Sequence, residues 1–389
     1  EPLKIAMIEA LSGPLAQTGI TFTDGMRYGV AKLNEAGGFN GDKIQLLEYD
    51  NQGGPTGAAD KLKIAIAEGA RIVSSASSSA VAAQLSDDIR KYNLRNPGKE
   101  VIYYNVGSEA YELTAQRCHF WMFRVGTNAF IRYKGLVKAM ADQKLVDRVY
   151  TINQNYSYGL EAQAAQHKYV QEAGGKIVGS AIHDLSKVQD FAPYVAKIKE
   201  SGAQTVLTGN WGTDIILLLR AAGEAGLDLR FGNQSLDTPG TISAAGSAAL
   251  GSYLAKLYNL EAGGEAGKAF IEDFKAEIGH YPYSEEPTPA FGMMLLGDAL
   301  KKVDFKGGPI DAKAIVMALE TASYTTPLGP WSFRKEDHQL LPPVTISEVS
   351  KDAQYKVDNT DMGFKLRAVV PAEEAMVPVA DECRMQRPS

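Results

Sequence analysis

Apolar runs of strand length alternate with amphipathic helical stretches along most of the chain, and the alternation restarts once. The first series reads as strand 4–10, helix 21–36, strand 43–49, helix 58–68, strand 71–74, helix 81–91 and strand 101–105. Met26, Tyr28, Gly29, Val30 and Leu33 lie close to one face of its first helix, and Gly37-Gly38 stops it. The second series reads as strand 148–153, helix 158–173, strand 176–181, helix 191–201, strand 205–209, helix 214–225 and strand 230–233. Such spacing requires right-handed crossovers and a mostly parallel sheet with helices on both faces. No clean internal sequence repeat relates the two series, so they agree in architecture only.

After about residue 250 the order changes to helices over 263–279, 290–303 and 311–321, with 324–333 and 344–349 as antiparallel additions. At 389 residues the chain is too long for a single core, and two domains are expected. In open α/β sheets a ligand sits at the carboxyl ends of the strands, here expected in the cleft between lobes.

Two turns have the chemistry for such a ligand. The strand 4–10 breaks at Leu11-Ser12-Gly13-Pro14, and the strand 71–74 runs into Ser75-Ala76-Ser77-Ser78-Ser79 ahead of a helix. A strand that feeds a helix through Ser and Gly presents backbone N–H groups and hydroxyls to an anion. The same serines also read as ordinary N-caps, and one turn serves both roles.

Catalytic signatures are absent. His119, His167, His183, His280 and His338 are scattered, with no HExxH and no His–Cys cluster, which argues against a transition-metal site. No GxSxG elbow occurs. Gly263-Gly264-Glu265-Ala266-Gly267-Lys268-Ala269 lacks the spacing and the hydroxyl of a phosphate loop and reads as a turn and helix start. Gly37-Gly38-Phe39-Asn40-Gly41 follows a helix, which is wrong for a dinucleotide fingerprint. Glu285-Glu286 reads as a solvated turn, and Tyr103, Tyr104, Trp121, Tyr283 and Phe291 as core. No nucleophile–base pair can be assembled, so neither enzymatic activity nor a cofactor is expected.

A net charge of −6 without a basic, aromatic-interleaved stripe argues against nucleic acid. No apolar run reaches the roughly 20 residues of a membrane helix. Glu1-Pro2 leads straight into a strand, as in an exported protein after leader removal, or in a trimmed chain. The two cysteines, Cys118 and Cys383, are either free buried thiols or one disulfide tying the tail to the middle of the chain.

Several motifs carry a resemblance. Leu11-Ser12-Gly13-Pro14, Leu33-Asn34-Glu35-Ala36-Gly37-Gly38-Phe39-Asn40-Gly41 and Tyr49-Asp50-Asn51-Gln52 resemble the N-terminal signature of type I periplasmic solute-binding proteins. More closely, they resemble the branched-chain amino acid (LivJ-like) group that serves ABC importers. The match continues through Phe123-Arg124-Val125, Asn155-Tyr156-Ser157-Tyr158-Gly159, Asp190-Phe191 and Arg220-Ala221-Ala222-Gly223-Glu224-Ala225-Gly226-Leu227 to Pro327-Leu328-Gly329-Pro330-Trp331-Ser332-Phe333. It covers nearly the whole chain, and order and spacing carry it more than any single motif.

The resemblance implies a carboxylate site on Ser78 and Ser79 and on Val106, Gly107 and Ser108. Hydroxyls and N–H groups at a helix start make charge-assisted bonds to an acid. It also implies aromatic contacts from Tyr158, with Tyr156 as neighbour, and from Trp211. Amino-acid-binding relatives place an acid against the ligand ammonium. Here that position falls near Ser235, with Asp237 two residues on. A buried ammonium without a partner costs several kcal/mol, so an amine-free aromatic acid, such as a benzoate or hydroxycinnamate, is favoured over an amino acid.

The expected fold is thus α/β: two doubly wound parallel-sheet lobes joined by a multi-strand hinge, as in type I periplasmic binding proteins. One lobe takes 1–122 plus 251–328, the other 123–250 plus 329–370, and 371–389 forms a tail. The expected protein is a periplasmic, monomeric solute-binding component that captures a small carboxylate by hinge closure and hands it to an ABC permease. The alternatives are branched-chain or other amino acid binding in the same role, or a ligand-sensing module of the same fold.

Overall fold

The computed structural model describes residues 1–283 and 285–389. Its first elements are β1 (Lys4–Glu9), α1 (Ala16–Glu35), β2 (Gln45–Asp50), α2 (Pro55–Ala67), β3 (Ile72–Ser74), α3 (Ser79–Arg95), β4 (Ile102–Asn105) and β5 (Met122–Arg124). There follow α4 (Ala129–Asp142), β6 (Arg148–Gln154), α5 (Ser157–Glu172), β7 (Lys176–His183), α6 (Ala192–Ser201), β8 (Thr205–Thr208), α7 (Thr213–Glu224), β9 (Arg230–Asn233), α8 (Thr241–Ala245) and β10 (Tyr253–Lys256). The last are α9 (Gly264–Ile278), α10 (Pro287–Leu300), α11 (Ala312–Leu319), β11 (Ser323–Thr326), β12 (Gly329–Ser332), β13 (Val344–Ser350), β14 (Gly363–Val370) and α12 (Ala372–Ala375).

The chain divides into two compact units: Glu1–Thr127 with Ala269–Pro342 and Pro378–Ser389, and Asn128–Lys268 with Pro343–Val377. The first holds a five-stranded sheet in the order β2-β1-β3-β4-β5, parallel throughout. Its strand β1 lies inside the sheet and is covered on both faces, so Ile5, Ala6, Met7 and Ile8 are all buried and the strand is a continuous apolar run. Helix α1 crosses α10 closely because glycines line the contact. A Cβ on Gly29 would lie 2.5 Å from that of Met293, and one on Gly25 would lie 2.3 Å from the Glu286 carbonyl oxygen.

The second unit holds a seven-stranded sheet, order β7-β6-β8-β9-β10-β13-β14. The first five strands are parallel, while β13 runs antiparallel to β10 and to β14. Its core gathers Tyr133, Leu136, Val137 and Met140 of α4 with Val149, Leu207 and Ile346 of the sheet.

Each unit repeats one strand order, β2-β1-β3-β4-β5 in the first and β7-β6-β8-β9-β10 in the second. Connections leave in opposite directions from the two inner strands, β1 and β3 or β6 and β8. That switch point opens a crevice at their carboxyl ends.

The unit boundaries differ from those read in the sequence, at 122, 250, 328 and 370. Residues 251–268 belong with the second unit because β10 pairs with β9 and β13. Residues 329–342 belong with the first because β12 pairs with β11 and Leu340 N–H donates to the Arg124 carbonyl. The end of the tail joins the first unit, where Cys383 is bridged to Cys118 with Cα atoms 5.5 Å apart. Helix α4 and strands β5, β10 and β14 were not anticipated; β5 is three residues long, too short to register as a period.

Candidate functional site

In the first unit the switch point is formed by the ends of β1 and β3. Ser78 caps α3 with its Oγ accepting from Val81 N–H at 3.2 Å, and its extended backbone turns the chain into the helix. The amides of Ser79 and Ala80 begin the helix and have no intrahelical acceptor, so the positive end of α3 opens here. The Ser79 Oγ accepts from Ala110 N–H at 3.2 Å.

Behind this turn sits Glu9, only 1% exposed. Its carboxylate accepts from the N–H groups of Ala10 (3.0 Å), Ala76 (2.8 Å) and Ser77 (3.1 Å), and from the Ser77 hydroxyl. Glu9 therefore takes up the donors at 76 and 77 and fixes the path of the loop. The groups left for a ligand begin at Ser78. Sequence reasoning did not single out Glu9, because an acid closing a strand carries no motif.

The turn after β4 is likewise committed within the fold. Val106 N–H donates to the Ser75 carbonyl at 3.0 Å. Gly107 and Ser108 N–H both donate to Asn105 Oδ1, at 3.1 and 2.8 Å. The Ser108 hydroxyl donates to the Ala76 carbonyl at 2.7 Å, stitching this turn to the β3–α3 loop. Fully buried Arg124 clamps the segment from beneath, donating to the carbonyl of Ala110 at 2.6 Å and to Thr114 Oγ1 at 2.7 Å. The structure thus brings Ser78, Ser79 and Ser108 to one end of one sheet. The amides at 106–108, however, stabilise the site and are not open donors.

In the second unit the switch point lies between β6 and β8. Trp211, on the Gly-flanked loop after β8, donates its indole N–H to the Tyr156 hydroxyl at 2.8 Å and remains 37% exposed. The rings of Tyr156 and Tyr158 have centroids 6.1 Å apart, so the three aromatics form one group. Buried polar side chains hold the loop in place. Gln154 Nε2 donates to Asp214 Oδ2 at 2.8 Å and to the Trp211 carbonyl at 3.3 Å. His183 Nε2 pairs with Asn210 Oδ1 at 2.9 Å, and Asn233 Nδ2 donates to the Asn210 carbonyl at 2.8 Å. None of these supports was singled out from sequence.

Ser235 N–H donates to Asn233 Oδ1 at 2.7 Å. Asp237 forms an ion pair with Lys256 Nζ at 3.2 Å, and the lysine is almost fully buried. A buried lysine needs such a counter-ion, so the charge of Asp237 is already balanced. The hydroxyls of Ser78, Ser79 and Ser108 bond to backbone groups.

The chain matches the periplasmic binding protein family over residues 2–354. It is 49% identical over 389 residues to the Leu/Ile/Val-binding protein homolog 4 of Brucella melitensis biotype 1, covering 100% of this chain and 94% of that one. The crystal structure of the leucine-, isoleucine-, valine-, threonine- and alanine-binding protein of Brucella ovis, in a closed conformation, superposes with a TM-score of 0.97 at 49% identity, with 100% of both chains covered. The protein of that same description from Pseudomonas aeruginosa is 27% identical over 365 residues, 91% of each chain.

Proposed function

Because the chain belongs to the periplasmic binding protein family, whose members bind solutes and are not enzymes, we propose that it is the extracytoplasmic component of an ABC importer that delivers a small carboxylate to a membrane permease. The observation that supports this reading most is the start of α3. There Ser78, Ser79 and the first helix amides offer donors beside a positive helix end. In this proposal those groups take the ligand carboxylate, Ser108 and the 106–107 turn hold them in position, and Tyr156, Tyr158 and Trp211 contact the ligand body.

The ligand we propose is an aliphatic amino acid of the leucine, isoleucine and valine class, supported by full-length 49% identity to a Brucella protein of that description. One observation favours a second reading, an amine-free aromatic acid. Ser235 stands where an ammonium-binding acid is expected, and the nearby Asp237 is already paired with Lys256. Calorimetry on protein stripped of bound solute by unfolding and refolding separates the two. Leucine, isoleucine or valine is expected to bind one per chain at micromolar Kd or tighter. Binding of benzoate or 4-hydroxycinnamate alone supports the second reading, and binding of neither class contradicts the carboxylate assignment.

A further inference from the structure

Three side chains far apart in sequence meet on one side of the first unit. Asp24 is on α1, His280 follows α9, and Glu286 opens α10. One ligand-type atom of each lies within 4.8 Å of those of the other two. His280 Nε2 is 3.9 Å from Asp24 Oδ2, and His280 Nδ1 is 3.8 Å from Glu286 Oε1. The close crossing of α1 and α10 at Gly25 creates the arrangement, since any side chain there would strike the Glu286 backbone.

Glu285-Glu286 reads in the sequence as a solvated turn, yet Glu286 is only 2% exposed. Its Oε2 has no hydrogen-bond partner among the described residues. A buried carboxylate in this setting calls for a cation or a proton. Arg27 does not serve it: the guanidinium grips both oxygens of Glu48 and reaches only Asp24 Oδ1, at 3.2 Å. The second oxygen of Asp24 is left facing His280.

The histidine is oriented as a ligand. Its Nδ1 lies 2.8 Å from the Tyr281 carbonyl oxygen, which can only accept; with the proton on Nδ1, the nitrogen open to a metal is Nε2, on the Asp24 side, and Glu286 has to swing from the Nδ1 side to reach the same ion. A backbone carbonyl on the far ring nitrogen is the usual support for a metal-bound imidazole.

We propose that Asp24, His280 and Glu286 form a binding site for one zinc ion. One imidazole and two carboxylates match its mixed nitrogen and oxygen preference, and three protein ligands leave a fourth tetrahedral position for water or for another donor. Magnesium and calcium, which take oxygen ligands, fit less well. Bonds of about 2.0–2.2 Å require the ligand atoms to draw together by less than the length of one bond. His280, half exposed, is free to make that adjustment. The site belongs to the α1–α10 crossing and shares no residue with the proposed solute contacts.

The test uses tag-free protein treated with EDTA and desalted, titrated with zinc chloride by calorimetry. The two cysteines are joined to each other, so no free thiol competes. One equivalent of zinc is expected at micromolar Kd or tighter, with magnesium and calcium at least about 100-fold weaker. His280→Ala, at an exposed position, and Glu286→Gln, close in size, should each weaken zinc about 100-fold while circular dichroism stays unchanged. Absence of saturable binding below about 100 μM overturns the site. So does wild-type affinity in His280→Ala; wild-type affinity in Glu286→Gln would show that the carboxyl is simply held protonated.

Discussion

Trp211 and Tyr156 are joined by an indole-to-phenol hydrogen bond of 2.8 Å, linking the loop after β8 to the loop after β6 at the switch point of the second sheet. The bond fixes the orientation of a large ring that is still partly open to solvent. Tyr156→Phe removes the acceptor and keeps the ring, so ligand binding should weaken about 3–10-fold, the value of one net hydrogen bond. Trp211→Ala removes the ring itself and should cost more than about 30-fold. Calorimetric Kd values check the order; equal losses would mean that the hydrogen bond, not the ring, is what the ligand needs.

Glu9 ties β1 to the β3–α3 loop through the amides of Ala76 and Ser77 and the Ser77 hydroxyl, and also accepts from its neighbour Ala10 N–H. Glu9→Gln replaces a charge-assisted acceptor with an amide whose NH2 faces N–H donors. Stability should fall by about 2–4 kcal/mol in urea unfolding. A loss below about 0.5 kcal/mol would show that the loop holds its path without Glu9.

His119 makes the fold sensitive to acid. Burial pushes its imidazole down to about 4, against the Ser86 carbonyl, which pulls it back up. Nδ1 accepts from Trp121 N–H at 3.2 Å and Nε2 faces Ser86, so the ring is held neutral. Its folded value lies below the unfolded one near 6.5. The unfolded chain therefore takes up a proton that the folded chain refuses. Stability is full above about pH 6.5 and falls as pH drops toward 4, by up to about 1.4 kcal/mol per unit. His119→Asn should flatten the slope of unfolding free energy between pH 6.5 and 4; an unchanged slope would assign it to other groups.

The Cys118–Cys383 bridge holds the C-terminal tail, and Arg387 beyond it pairs with Glu320. Closing a loop of 265 residues predicts a loss of about 3–5 kcal/mol in the double variant Cys118→Ser/Cys383→Ser. Limited proteolysis should then cut within Pro378–Ser389 while the rest of the chain resists. A tail that stays protected would mean that its ion pairs suffice.

What the sequence revealed depended on how local each signal was. The buried run Ile5–Ile8, the Gly37-Gly38 stop after α1 and the Ser78 cap are all encoded by near neighbours, and all were legible. Glu9 was not, because its partners Ala76 and Ser77 lie 67 and 68 residues away and come together only through the pairing of β1 with β3. Lys256 was missed for the same reason, since β10 brings it to Asp237. The sequence reads Glu286 as solvated because nothing local signals that Gly25 lets α10 pack across it. Unit boundaries shifted because β10 and β12 follow their strand partners, which periodicity does not name.

The carboxylate site proposed here lies at the start of α3. The most direct measurement compares leucine with leucinamide by calorimetry on solute-stripped protein, repeated on the double variant Ser78→Ala/Ser79→Ala. Leucine should bind the parent protein, leucinamide should be at least about 100-fold weaker, and the variant should lose most of that difference. Equal binding of acid and amide, or a variant that discriminates as well as the parent, would contradict it.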